Sequence, residues 1–166
     1  MNLLFHDWVG ALHLLASVIA LASGSLVLWM DKGGRLHRQI GYVYTGSMLV
    51  VIMTAFSIYR LFGGFGIFHI AAVVSFVTLL GGMLPVILKK PVHNYLSLHY
   101  SFMYWSVIGL YAAFVSETLT RIPESPFYGM VGVATFAVML SAQIFFVKYQ
   151  KKWYKEFTVE KKIIHS

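Results

Sequence analysis

The sequence predicts an all-α integral membrane protein of one domain, with four transmembrane helices in an antiparallel core and a fifth at its periphery. Three observations predict it. Of 166 residues 58% are hydrophobic and only 11% charged, far from the average of water-soluble domains. The apolar residues gather into five long runs. The cations fall almost wholly on one side of those runs.

The runs are Trp8–Met30, Ile40–Tyr59, Phe65–Leu88, Tyr95–Leu119 and Phe127–Val147. At 1.5 Å rise per residue, about 20 residues cover a hydrocarbon core of roughly 30 Å. Lipid offers no partner to a bare peptide group, so each run satisfies its backbone as a helix. "MNLLFHDW" carries no cationic leader and the first run is too long for a signal peptide's apolar segment, so the first span is expected to be retained. Pro91 is expected to open the fourth helix at its first position, which sets His99 about two turns inside it. Residues 148–166 form a basic tail, "KYQKKWYKEFTVEKKIIHS" without its last apolar neighbours, expected as a solvated or partly amphipathic segment near anionic lipid.

Lys32, Arg35 and Arg38 lie in the first loop, Lys89 and Lys90 in the third, and six more lysines in the tail, against Arg60 and Arg121 on the opposite side. This eleven-to-two division places the N-terminus outside and the C-terminus in the cytoplasm of a multi-pass cell-membrane protein. The loops are too short for a catalytic domain outside the bilayer. The formal charge of +7 is therefore a topology signal, and with aromatic residues expected in spans and belts it implies no nucleic-acid partner. There is no cysteine, which excludes disulfides and thiolate metal sites. No phosphate-binding glycine loop, HExxH or Ser/His/Asp arrangement is present, and no catalytic residue is assigned.

Polar side chains inside a span are costly, which makes the histidines the candidates for chemistry. His13 and His69 stand near the outer ends of the first and third spans, His37 and His99 near the inner ends of the second and fourth. Helical spacing puts His13 on one face with Ala16, Ser17, Ala20, Ser23 and Gly24, puts His37 with Gly41, Thr45 and Met48, and puts His99 with Met103, Ser106 and Gly109. The third span is less regular, His69 continuing through Ala72, Val73, Phe76 and Leu80. Such small-residue faces are ordinary packing seams between membrane helices. They also leave room for a flat macrocycle whose iron takes an imidazole from each of two helices. A lone histidine at a membrane interface is more often a headgroup-level residue than a ligand; four in two layers are the stronger signal. His6, His93 and His165 read as loop or tail residues, with His93 an alternative inner ligand to His99. Glu117 and Arg121, spaced i and i+4, read as an ion pair, and Arg35, Arg38 and Lys89 as topology cations that could also receive heme propionates.

Two resemblances follow from these segments. "LHRQIGYVYTGSMLVV" resembles the HRxxGxxY segment of the bacterial membrane family called domain of unknown function 2306, and "LHYSFMYWSVIGLYAAFVSETLTRIP" is similar to its fourth-helix pattern, here His99, Phe102, Met103, Thr120, Arg121 and Pro123. The resemblance covers roughly Leu12 to Pro123. Where that family commonly has an arginine after the methionine, Tyr104 and Trp105 stand here, so no role for that arginine carries over. It implies a multispan membrane protein and supplies no activity. In layout alone, the alternation of histidines is similar to diheme b-type cytochromes of the ascorbate-reducing type, in which alternate helices pair to hold one heme near each membrane face.

Three readings follow. The first is a b-type heme electron carrier with His13 and His69 as outer ligands, His37 and His99 as inner ligands, and a quinol or other redox partner. The second is a zinc or copper protein or transporter in which the same histidines are joined by Asp7 or Glu117. The third is a noncatalytic protein of the lipid bilayer whose histidines satisfy backbone or lipid groups.

Overall fold

The computed structural model describes residues 2–57, 65–91, 94–120 and 126–164, with side chains described over 8–57, 65–91, 94–120 and 126–150. Among the described residues there are five α-helices and no strand: α1 (Asn2–Trp29), α2 (Arg35–Ser57), α3 (Ile67–Leu88), α4 (Tyr95–Leu119) and α5 (Phe127–Ile164). Each contains a stretch long and apolar enough to cross a bilayer. Calls that rest on His93, Arg60 and Arg121, the Glu117–Arg121 pair among them, lie outside the described residues, as do those on the side chains of His6, Asp7 and His165.

Hydroxyls inside the spans fold back on their own helices. Ser23 donates to Ile19 O, Ser25 to Leu21 O, Thr45 to Gly41 O and Ser141 to Ala137 O, so each polar group is satisfied where no water reaches. Leucines, isoleucines, valines and phenylalanines are exposed along all five helices, as lipid-facing surface requires. Trp8 and Trp29, 75% and 87% exposed, stand at the two ends of the first span, where amphipathic rings settle at headgroup depth.

The chain divides into two compact units, residues 1–80 and 81–166. In the first, α1 and α2 run antiparallel, His13 near the start of one meeting Thr54 near the end of the other. Ala16, Ala20, Ser23 and Val27 form the buried face of α1, and Tyr44, Met48, Ile52 and Thr54 that of α2. The stripe expected below His13 is therefore the inward face. On α3 the expectation changes: His69, Ala72 and Leu79 are buried, whereas Val73, Phe76 and Leu80 are exposed. The turn between α1 and α2 is closed by Gly33 at φ 82, and Lys32 Nζ donates to Val27 O, Leu28 O and Met30 O, covering carbonyls that the end of α1 leaves without helical donors.

In the second unit the end of α3, α4 and α5 pack antiparallel in sequence. Gly81 and Gly82 lie so close to α4 that an added Cβ would come within 2.8 Å of the Phe102 ring and 2.6 Å of Met103 Sδ. Tyr104 donates its hydroxyl to Ala142 O at 2.8 Å, and Ser116 and Thr135 share a hydrogen bond at 3.2 Å, tying α4 to α5. Tyr104, Trp105 and Phe146 pack ring on ring at the same contact. α3 ends with Lys89 in the left-handed region at φ 52 while Lys90 N–H returns to Pro85 O, the wrapped hydrogen bond of a Schellman ending.

One boundary differs from expectation. Pro91 does not open α4: its carbonyl accepts the amides of Asn94 and Tyr95, and the helix starts at Tyr95, so His99 lies just over one turn inside. The basic tail carries α5 on without a break to Ile164. Neither Gly nor Pro interrupts that stretch.

Candidate functional site

A histidine on a membrane helix is defined chemically by which ring nitrogen carries the proton, and its hydrogen bonds decide that. The threonine hydroxyl at the end of α2 has one proton, which it directs to Val50 O at 2.7 Å and Val51 O at 3.0 Å. It shares a hydrogen bond with His13, whose Nδ1 lies 2.8 Å away, and either group can be the donor. Where the hydroxyl proton goes to the backbone, His13 donates from Nδ1 and its lone pair is on Nε2.

His99 arrives at the same state by a different route. Its Nδ1 donates to Gly82 O at 2.8 Å, a carbonyl that cannot donate in return, so its lone pair is also on Nε2. α3 makes this bond reachable. Gly82 has no side chain between its backbone and α4, while Pro85, lacking an amide proton, leaves the neighbouring Gly81 carbonyl without its helical donor. An Nδ1–H held by an oxygen acceptor fixes the ring and makes Nε2 a stronger base, which is the arrangement of an imidazole that binds a metal.

His69 is different. Glycine before the helix and histidine at its third position form half of a capping box: Gly66 N–H donates to His69 Nδ1 at 3.0 Å, while His69 N–H returns to Gly66 O at 3.0 Å. A neutral ring that accepts at Nδ1 carries its proton on Nε2. His69 is 4% exposed, stacked on Phe65 with ring centroids 5.0 Å apart and tilted to Phe56 at 6.1 Å. Because Thr54 and Phe56 are near neighbours on α2, the structure brings His13 and His69 to the same end of that helix. His37 lies half-buried in the first turn of α2.

Sequence reasoning selected the histidines and missed the groups that orient them: Thr54, Gly82 and Gly66. Thr54 carries a signal, a hydroxyl near the helix end opposite His37, that is readable only once the register of α1 against α2 is known. Pro85 three residues after Gly82 is a visible sign of loosened backbone, and Gly66 three residues before His69 has the spacing of a cap. Among the described residues no group of three or more His, Cys, Asp or Glu side chains converges to hold a metal ion. A bis-imidazole iron needs only two.

A family model described as "Predicted membrane protein (DUF2306)" matches residues 10–148. The match runs past the expected limit at Pro123 and takes in the membrane-spanning part of α5, whose apolar sequence offers no discrete motif to the eye. No curated protein and no solved structure matches the chain.

Proposed function

The chain belongs to the family of predicted membrane proteins DUF2306, and from that premise we propose that this multi-pass protein is a b-type heme electron carrier. One observation carries the reading: His99 donates Nδ1–H to a backbone carbonyl and holds its lone pair on Nε2, and His13, from the other predicted layer, meets Thr54 through the same ring nitrogen. That tautomer would let an imidazole hold a heme iron, and Gly82 and Thr54 are the groups that orient the two rings. His69 and His37 are the partners proposed for the outer and inner layers. His69 takes that part only by releasing the Gly66 amide from Nδ1, which makes it the weaker member of its pair. A bis-imidazole iron supplies one-electron transfer when bound; the protein's share is to orient the imidazoles and keep water from them. Quinol or another small reductant is the proposed donor class.

A second reading rests on the same two hydrogen bonds, since His13–Thr54 joins α1 to α2 and His99–Gly82 joins α3 to α4. In it the histidines are interhelical ties and bind nothing. Expression with ample heme and purification in mild detergent separates the two. The carrier reading requires a Soret band and a low-spin reduced spectrum in the purified protein. A protein that remains folded and shows no Soret absorbance leaves the tie reading.

A further inference from the structure

Among the described side chains of α5, Gln143 is polar, within the span, and left unanswered by the fold. Within the span Phe127–Gln150, Ser141 donates to Ala137 O and Thr135 bonds Ser116, but Gln143 is exposed and no hydrogen bond reaches its carboxamide. It lies five residues, about 7.5 Å, before Lys148, the first cation of the tail. Side chains on a helix lean toward its N-terminus, so Gln143 points away from Lys148 and toward the middle of the bilayer. It cannot reach the interface on the Lys148 side, and a carboxamide in hydrocarbon without a partner is costly.

The surroundings of Gln143 have the repeat of a helix pair. Gly129, Val133, Phe136, Leu140, Gln143 and Val147 alternate at four and three residues, the 3.5-residue period of a left-handed crossing, and all are exposed. Val133 and Phe136 are 70% and 69% exposed, among the higher values of the span. A lipid-facing surface has no need of a glutamine on that seam; a helix pair does, since one polar residue in an apolar seam sets register and partner number.

We propose that α5 pairs with α5 of a second copy about a two-fold axis, with the two Gln143 carboxamides hydrogen-bonded across it. The second copy is favoured over a different protein because a primary amide is both donor and acceptor. A two-fold axis sets the residue opposite itself and satisfies both partners with no further polar group. The pairing is independent of whether the histidines bind heme.

The chain has no cysteine, so each single-cysteine variant carries one thiol. In native membranes treated with a membrane-permeant oxidant, Gln143→Cys and Val147→Cys of the full chain are expected to give a disulfide-linked dimer. Phe145→Cys, close in depth but about 200° around the helix, is expected to stay monomeric. In detergent, Gln143→Leu is expected to weaken dimerisation at least about threefold by mass measurement, the lower range for one interhelical hydrogen bond in a membrane. The proposal is overturned if Phe145→Cys cross-links as well as Gln143→Cys, if Gln143→Cys links to a different protein, or if the wild-type chain is monomeric in membranes.

Discussion

His99 on α4 donates its Nδ1 proton to the carbonyl oxygen of Gly82 on α3 at 2.8 Å, at the turn where Pro85 interrupts the helical ladder. Glycine is required there because the helices are too close for anything larger. An alanine Cβ at 82 would stand 2.6 Å from Met103 Sδ and 3.3 Å from the Met103 backbone nitrogen, and only the first of these can swing aside. Gly82→Ala is therefore expected to lower stability by about 1–3 kcal/mol, the range for overpacking a tight contact. Gly132→Ala, with nothing within 4 Å of the new methyl, is the matched control and should unfold at or above the wild-type temperature. Thermal unfolding in detergent checks both.

The corresponding bond in the first unit runs from His13 to Thr54, a residue only 8% exposed. Thr54→Val keeps the shape and removes the hydroxyl that meets His13 Nδ1. The expected loss is about 1 kcal/mol, with Thr54→Ser restoring most of it. In a protein loaded with heme the same change should reduce occupancy, because Nδ1–H loses the contact that fixes the ring. Equal stability of the valine and serine variants would show that the bond has no weight.

Lys89 ends α3 at φ 52, a conformation that a Cβ disfavours. Lys89→Gly relieves the strain while keeping the Lys90–Pro85 wrap, and is expected to raise stability by about 1 kcal/mol. A lower melting temperature would mean that the lysine side chain contributes more than its backbone costs.

Lys32, Arg35, Arg38, Lys89, Lys90 and the tail lysines all fall on one side of the predicted topology. A reporter fused after Ser166 is expected to be active only if it is a cytoplasmic reporter, and a periplasmic-type reporter at the same site should be silent. The opposite pattern would exchange the outer and inner layers of histidine.

The five spans were legible because a run of apolar residues has one outcome in lipid. The inward faces of α1 and α4 were legible too, because helical periodicity places Ala16 and Ala20, or Met103 and Ser106, on one side whatever the neighbours are; on α2 the expected stripe meets the buried face of Tyr44, Met48, Ile52 and Thr54 at Met48 alone. Partnership was not. That His13 meets Thr54 and His99 meets Gly82 depends on the sliding register of one helix on the next, for which the sequence carries no local signal. The start of α4 was misplaced because Pro91 has the preferences of a first helical residue, while its carbonyl instead closes a turn on Asn94 and Tyr95. His69 shows the deeper difficulty: the residue that spacing marks as a ligand has its Nδ1 engaged by the Gly66 amide, a distinction of one proton that no residue pattern reveals.

The decisive measurement for the heme reading is the heme-to-protein ratio of the purified wild-type chain and of His99→Ala. About two hemes per wild-type chain, with low-spin bis-imidazole spectra, are expected, and about one in His99→Ala, because an inner iron would be left with one protein ligand while the His13 layer is untouched. No heme in a folded wild-type protein, or an undiminished ratio in His99→Ala, would contradict it.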